Sequence, residues 1–489
     1  MNYLGLEASH IRELILKKEI TSTQVVEGFL DQIERHKDLN AIVNVNEKSL
    51  DRAKSIDSLT PEQAMEKKLL GVPIIVKDLI CTEGLETTAA SKMLDGFIPP
   101  YSATLISRLE KNGAIVLAKA NLDEFAMGSS NETSFYGSTL NPWNKEYVPG
   151  GSSGGSAAAL AAAMAPVSIG TDTGGSIRQP AHFCGVVGLK PTYGRISRYG
   201  VIAFASSFDQ AGPMTTSVKD AALVCEVMSG YDPHDGTSSE REVPSWSESI
   251  CSDVSKLTIG IPKEYMEFEV DEDTRKVFNS VVDLLKKGGA NIVEVSLSLV
   301  KQAIPVYYLI TSSEASSNLS RFDGVRYGYR ADFKSQPAED LIDFYGRTRG
   351  LGFGHEVKRR IMLGTFALSS GYYDDYFQKA CRVRRLIQNE FLSAFGQCDA
   401  ILSPVATSAA FKLKEKVDDP LAMFANDIFT TSANLAGIPA LSVPAGFSSL
   451  GLPIGIQLQA NHFNEQVLFD IGSYVEKELN LKKRADHVL

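Results

Sequence analysis

Two serines set among glycines, with one lysine upstream, are the residues of this chain best placed to do chemistry. The first run is Gly150-Gly151-Ser152-Ser153-Gly154-Gly155-Ser156, the second is Asp172-Thr173-Gly174-Gly175-Ser176, and Val76-Lys77-Asp78 precedes both. A serine hydroxyl is a weak nucleophile until a neighbouring base takes its proton. Cleaving an amide also needs donors aimed at the oxyanion that forms on the carbonyl. Consecutive glycines meet the second need, because without Cβ several backbone N–H groups can converge on one point. Thr173, Gly174, Gly175 and Ser176 could therefore supply a nucleophile and its oxyanion hole in one turn. Gly150 to Gly155 could bring Ser152 against that turn. Lysine is ordinarily protonated, but burial lowers its pKa. Val72, Ile74, Ile75 and Val76 give Lys77 an apolar approach. A neutral Lys77 could then draw a proton from Ser152, and Ser152 from Ser176. Such a hydrolase would work without histidine.

Each feature has a plainer reading. Most lysines are solvated, and Gly-Gly-Ser turns are often only turns. Gly150-x-Ser152-x-Gly154 also fits a nucleophile elbow, which requires a strand directly before it. Asn141-Pro142-Trp143-Asn144 and Pro149 crowd that side, so the elbow ranks second. Ser298-x-x-Lys301 has β-lactamase-type spacing but no Lys-Thr-Gly partner. His182 follows the second turn closely and reads as a packed residue rather than a base. No phosphate-binding G-x-x-x-x-G-K-[ST] loop occurs.

Positioning these side chains calls for strands that end at the turns. Gly71 to Val76 reads as a short strand that delivers Lys77 at or just past its end. Ala103 to Asn112 reads as a helix and Ala114 to Ala118 as the next strand. Ala157 to Ala165 reads as a small-residue helix stopped by Pro166, and Val167 to Gly170 as the strand before the second turn. α/β sheets usually place chemistry at such strand ends. Residues 6–60 read as helices, with Ile11, Leu14, Ile15, Val25, Val26 and Phe29 at helical spacing and Thr21 as a cap. Tyr231 to Ser252 reads as a surface loop and Tyr376 to Phe395 as a helix. Leu257 to Ile261, Ala400 to Leu402, Ala440 to Val443 and Ile454 to Leu458 read as further strands. The alternation predicts an α/β fold, a single large domain over 1–489 with a central mixed β-sheet covered by helices on both faces. Within it lie an N-terminal helical segment (1–60), a core carrying the serine and lysine runs (70–230) and the rest of the sheet with the substrate-binding part (255–489).

Composition sets bounds. The chain has 489 residues, 44% of them hydrophobic and 22% charged, which is the balance of a globular protein. No apolar run reaches the roughly 18 residues that span a bilayer. Nothing near the start resembles a secretory leader. A net charge of −10 argues against a surface that is everywhere phosphate-binding. Six scattered cysteines, with no C-x-x-C pair, predict a reduced, cytoplasmic protein without a zinc site.

The run from Gly150 to Ala159, followed by Gly170-Thr171-Asp172-Thr173-Gly174-Gly175-Ser176-Ile177-Arg178-Gln179-Pro180, resembles the amidase signature family. The spacings agree: Ser152 and Ser176 lie 24 residues apart, and Lys77 and Ser176 lie 99 apart. The resemblance implies Ser176 as nucleophile, Ser152 as a relay on a cis peptide and Lys77 as base. Further stretches resemble one branch of that family, the A subunits of glutamyl-tRNA(Gln)/aspartyl-tRNA(Asn) amidotransferases. They include Asn121-Leu122-Asp123-Glu124-Phe125-Ala126-Met127-Gly128-Ser129-Ser130, Gly185 to Arg195, Glu314 to Leu319, Asp323 to Gly328, Glu356-Val357-Lys358-Arg359-Arg360-Ile361 and Asn434 to Pro439. That likeness implies hydrolysis of glutamine and transfer of ammonia to a B subunit, with a C subunit in the complex. Misacylated tRNA would be met through the partners. No cofactor is implied for this chain, and ATP and Mg2+ would serve the assembled complex in the B subunit. Free glutamine needs a cation for its carboxylate and an acid for its ammonium. The resemblance points to Arg360 or Arg359 for the first and Asp427 for the second, with Tyr308 as a further substrate contact. Leu79 and Ala445 depart from the branch, where asparagine and cysteine are usual. A free-standing amidase acting on small or fatty amides is the rival reading.

Overall fold

Side chains of neighbouring strands alternate between two separate hydrophobic clusters, and this clothes the sheet on both faces. In the strand Pro73–Lys77, Ile74 and Val76 enter one cluster and Ile75 the other. In the strand Ile115–Ala120, Val116 enters the first cluster, while Ile115 and Leu117 enter the second. A period of two is what a strand buried on both faces requires. The second cluster is closed by Ile11, Val25, Val26, Phe29 and Ile56 of the N-terminal helices. The first is closed by helices Thr104–Lys111, Val218–Met228 and Glu272–Lys287.

The computed structural model describes residues 3–417, 419–481 and 485. Among these, eleven strands form one mixed sheet: β1 (Ile42–Val45), β2 (Pro73–Lys77), β3 (Ile115–Ala120), β4 (Val167–Asp172), β5 (Val187–Lys190), β6 (Gln210–Thr215), β7 (Thr258–Pro262), β8 (Asn291–Val295), β9 (Ala400–Pro404), β10 (Ala440–Phe447) and β11 (Pro453–Ala460). Their order is β1-β3-β2-β4-β6-β5-β10-β11-β9-β7-β8. The strand β2 runs parallel to both β3 and β4. Strand β5 is the seam, paired with β6 on one side and with the late strand β10 on the other. The expected α/β sheet is therefore present, and its strands come from all three expected segments of the chain.

Four expectations need correction. Residues 6–60 are not all helical, because β1 pairs antiparallel with β3 as an edge strand built from Ile42, Val43 and Val45. The alanine-rich helix spans Gly154–Ala161, not Ala157 to Ala165. Ala163 turns to φ +52° and Met164 N–H reaches back to Ala159 O, which unwinds the chain before Pro166. The surface loop at 231–252 contains the short helix Trp246–Ser249, because Trp246 is buried against Phe469. The long helix begins at Lys379, after a wider turn over Asp374–Gln378. The Thr21 cap is as expected: its hydroxyl accepts Gln24 N–H at 3.1 Å, and Gln24 Oε1 accepts Thr21 N–H at 3.0 Å.

Parity fixes the direction of Lys77. It shares a face of β2 with Ile75, and Ala158 and Ala159 of the helix Gly154–Ala161 pack on that face. Glycine lets the helix lie close, since a Cβ on Gly155 would come within 2.3 Å of Asn121 O. The N-terminal end of that helix follows Ser152 and Ser153 directly. Leu79 and Ala445, the two departures, are buried in the main cluster.

Candidate active site

Lys77 ends β2 with no exposed surface. Its Nζ lies 2.8 Å from Ser152 Oγ, 2.9 Å from Ser153 Oγ and 3.0 Å from Thr171 Oγ1. Burial drives the lysine pKa down to about 7, and the charges of Asp123, Asp172 and Asp209 oppose only part of that shift. A neutral amine has two N–H donors and one lone pair. The Ser153 hydroxyl donates to Thr171 O at 3.0 Å, so its oxygen faces the lysine as an acceptor. Thr171 Oγ1 can accept the second N–H. That leaves the lone pair for the Ser152 hydroxyl. Sequence reasoning passed over Ser153 and Thr171, although both stand inside the glycine-rich runs. Thr171→Val is expected to lower kcat by roughly tenfold, the loss of about one hydrogen bond, with little change in the thermal midpoint. Steady-state kinetics and thermal unfolding check this.

Ser152 is buried and follows a cis Gly151–Ser152 peptide bond. Its carbonyl accepts Asp123 N–H at 3.2 Å, and Gly151 N–H donates to Gln179 Oε1 at 3.0 Å. Among the described residues no strand stands directly ahead of this turn, so the nucleophile-elbow alternative is set aside. Ser176 is partly exposed, in the turn after β4. Its carbonyl accepts Ser153 N–H at 3.2 Å, which ties the two glycine-rich turns together.

Asp172 shapes the second turn. Its carboxylate accepts Gly175 N–H at 2.9 Å and Ile177 N–H at 3.2 Å. Burial works against that charge, but the Arg178 guanidinium, bonded at 2.9 and 3.0 Å, overrides it and holds the carboxyl at about 2. Arg178 also donates to Thr430 O at 3.0 Å, to Asn434 Oδ1 at 2.6 Å and to Gln457. Gly175 has φ +136°, and a Cβ there would meet the Thr430 hydroxyl at 2.3 Å. Its N–H is engaged by Asp172. The N–H groups of Thr173, Gly174 and Ser176 donate to no protein acceptor among the described residues. They are the turn's unengaged backbone donors. The Thr173 hydroxyl donates to Asp209 at 2.8 Å.

A cavity of about 500 Å³ opens nearby, lined among others by Glu124, Ser129, Glu132, Arg359, Arg360 and Phe424. Lys77, Ser152 and Ser176 are not in its wall. Arg360 is buried, and its Nε donates to Glu356 Oε1 at 2.7 Å. Its Nη1 and Nη2 meet no acceptor among the described residues, so the guanidinium fork is available to a carboxylate. Arg359 is more exposed and pairs with the other oxygen of Glu356. Tyr308 packs its ring 4.8 Å from the Arg360 guanidinium and 3.8 Å from Phe424. Its neighbour Tyr307, which the sequence did not single out, approaches the serine turn instead. A Cβ on Gly174 would lie 2.7 Å from the Tyr307 ring. Asp427 stands behind the cavity wall and accepts the Ser129 hydroxyl at 2.6 Å. Burial pushes its carboxyl up to about 7, against the pull of Ser129 and Arg360. His182 is buried, and its Nδ1 accepts Gly455 N–H at 2.7 Å, a packed residue as expected. Among the described residues, no group of three or more His, Cys, Asp and Glu could hold a metal ion, and no helix is long and apolar enough to cross a membrane.

Known proteins resemble this chain along nearly its whole length. The family model described as Amidase matches residues 24–469. The A subunit of glutamyl-tRNA(Gln) amidotransferase from Bdellovibrio bacteriovorus is 55% identical over 482 residues, covering 98% of each chain. The protein of the same name from Desulfosudis oleivorans is 50% identical over 487 residues, 99% of each. The crystal structure of the glutamyl-tRNA(Gln) amidotransferase A subunit from Thermotoga maritima superposes with a TM-score of 0.81 at 38% identity, covering 99% of this chain and 97% of that one. Native peptide amidase from Stenotrophomonas maltophilia superposes at 0.83 with 28% identity, covering 99% of each.

Proposed function

This chain belongs to the amidase family, and from that premise we propose that it is the glutamine-hydrolysing subunit of a tRNA-dependent amidotransferase. The observation that carries the reading is the buried Lys77 bonded to Ser152 beside the Ser176 turn. In the proposed reaction, the Lys77 lone pair takes the proton of Ser152, and Ser152 takes that of Ser176. Ser176 Oγ then attacks the carboxamide carbon of glutamine. The oxyanion is held by the N–H groups of Thr173, Gly174 and Ser176, with Gly175 supplying the turn's shape rather than a donor. The relay returns a proton to the leaving nitrogen, and ammonia departs. Water, activated by the same relay, releases glutamate from Ser176. The balance is glutamine and water to glutamate and ammonia.

Glutamine is recognised, in this reading, by Arg360 at its carboxylate and by Asp427, with Ser129, at its ammonium. Arg360 is favoured over Arg359 because it is the more buried and its fork is unengaged. Tyr308 holds the arginine in place. Arg360→Lys is expected to raise KM for glutamine by tenfold or more with kcat little changed, since an ammonium cannot make the paired contact. Initial-rate kinetics over a glutamine series check this.

Ammonia would pass to a B subunit, which uses ATP and Mg2+ to amidate Glu-tRNA(Gln), or Asp-tRNA(Asn), within a complex that also holds a C subunit. The acidity of this chain supports tRNA contact through the partners. The cytoplasm, where tRNA is charged, is the proposed location. Relatives at 50–55% identity bear the amidotransferase name, while the peptide amidase stands at 28%, which supports the amidotransferase over a free-standing amidase. The test is ammonia release from glutamine by the native chain, alone and with whatever co-purifies with it. A preference for apolar or peptide amides over glutamine, from a chain that purifies alone, would overturn the reading.

A further inference from the structure

Asp123 and Glu124 are adjacent, and each holds a different half of the site. The Asp123 N–H donates to the Ser152 carbonyl at 3.2 Å. Glu124 reaches the other way. Its Oε2 accepts Gly354 N–H at 2.8 Å, and its Oε1 accepts the Ser91 hydroxyl. Gly354 is the N-cap of helix His355–Ala367, and that cap residue has no side chain to satisfy the helix end. Glycine leaves the carboxylate its place there, since a Cβ would lie 2.3 Å from Glu124 Oε2 and displace it. The same helix presents Arg359 and Arg360 to the cavity, one and a half turns further along. Glu124 lines that cavity beside them.

The segment is braced in both directions. The Glu124 N–H donates to Thr133 Oγ1 at 3.2 Å, and Phe125 N–H donates to Ala89 O at 2.9 Å. Phe125 and Ala126 hold φ of +49° and +61°, conformations that L-residues adopt only under constraint. The Phe125 ring packs 5.7 Å from Phe353, next to the helix cap, and 5.0 Å from Phe322. A constrained backbone anchored on the serine side thus presents one carboxylate to the end of the arginine helix.

We propose that Glu124 is a positioning residue for glutamine, setting the distance between the Ser152–Ser176 turns and the Arg360 guanidinium. A carboxylate at a helix N-terminus is favoured by the axial dipole as well as by the hydrogen bond. Its removal frees the helix end, and with it the fork that receives the substrate carboxylate. Glu124 does not touch the reacting atoms. Its loss therefore weakens binding more than it slows chemistry.

This inference rests on the proposed glutamine reading, and the experiment separates the two. Glutamine binding is measured by calorimetry on the native assembly, and KM and kcat by ammonia release, for native protein, Glu124→Gln and Glu124→Ala. Expected is a KM raised at least tenfold in Glu124→Ala with kcat lowered less than threefold. Glu124→Gln keeps an acceptor for Gly354 N–H, so it recovers part of the affinity and remains available if the alanine variant does not fold. A merely structural role would lower the thermal midpoint and kcat together and leave KM in place, and that result overturns the proposal. So does native-like glutamine affinity in both variants. A native assembly that binds no glutamine overturns the function reading instead.

Discussion

Ser176→Ala is expected to abolish ammonia release from glutamine, by at least roughly a thousandfold, while assembly with the partners and amidation driven by added ammonia remain intact. The side chain removed is small and partly exposed, in a turn fixed by Asp172, Arg178 and Thr430 rather than by its own hydroxyl. The fold should not register the change. Glutaminase assays with and without added ammonium salts check both halves of the expectation. Full glutaminase activity in the variant would assign the nucleophile elsewhere.

Lys77→Met should be nearly as severe, because members of a proton relay act as a unit. It should also stabilise the fold. In the native protein, burial holds the Lys77 pKa at about 7, whereas a free lysine has 10.5. Between those values the unfolded chain binds a proton that the folded chain does not, so folding costs free energy that shrinks as pH rises. The contribution of Lys77 to stability therefore improves from pH 7 toward pH 10, and below pH 7 the penalty is full. Methionine removes it. Denaturant midpoints measured across pH should show the variant more stable than the native chain at pH 7, with the difference narrowing toward pH 10. The same titration predicts that native kcat rises with pH through about 7, as the amine loses its proton. A native rate independent of pH between 6 and 8 would remove a neutral lysine from the mechanism.

The parts of the site legible in the sequence are those where backbone and chemistry coincide. Strand β2 is a β-branched run that ends on Lys77, and both serines lie in glycine turns, so local patterns suffice. Strand β1 is hidden because an edge strand of three half-buried residues and the exposed Val45, set between helices, has too little periodicity to separate it from them. The true end of the helix Gly154–Ala161 is hidden because alanine fits a helix or the left-handed turn at Ala163 without a visible signal. Tyr307 and Tyr308 are adjacent in sequence yet serve different places, one at Gly174 and one at Arg360, and only the rotation of their helix decides which does which. Thr430 and Asn434, at and within the helix Thr431–Ala436, and Gln457 of β11 reach Arg178 from far along the chain, which no local pattern reports.

That last dependence has a consequence for how the protein is made. Lys77, Ser152 and Ser176 leave the ribosome early, but the guanidinium that supports the serine turn has only Asp172 nearby in sequence and finds its other acceptors at Thr430, Asn434 and Gln457. β5, the seam of the sheet, likewise waits for β10. The serine turn is therefore expected to take its final form only when translation is all but finished. A product terminated before Thr430 is expected to carry the whole relay yet release no ammonia from glutamine.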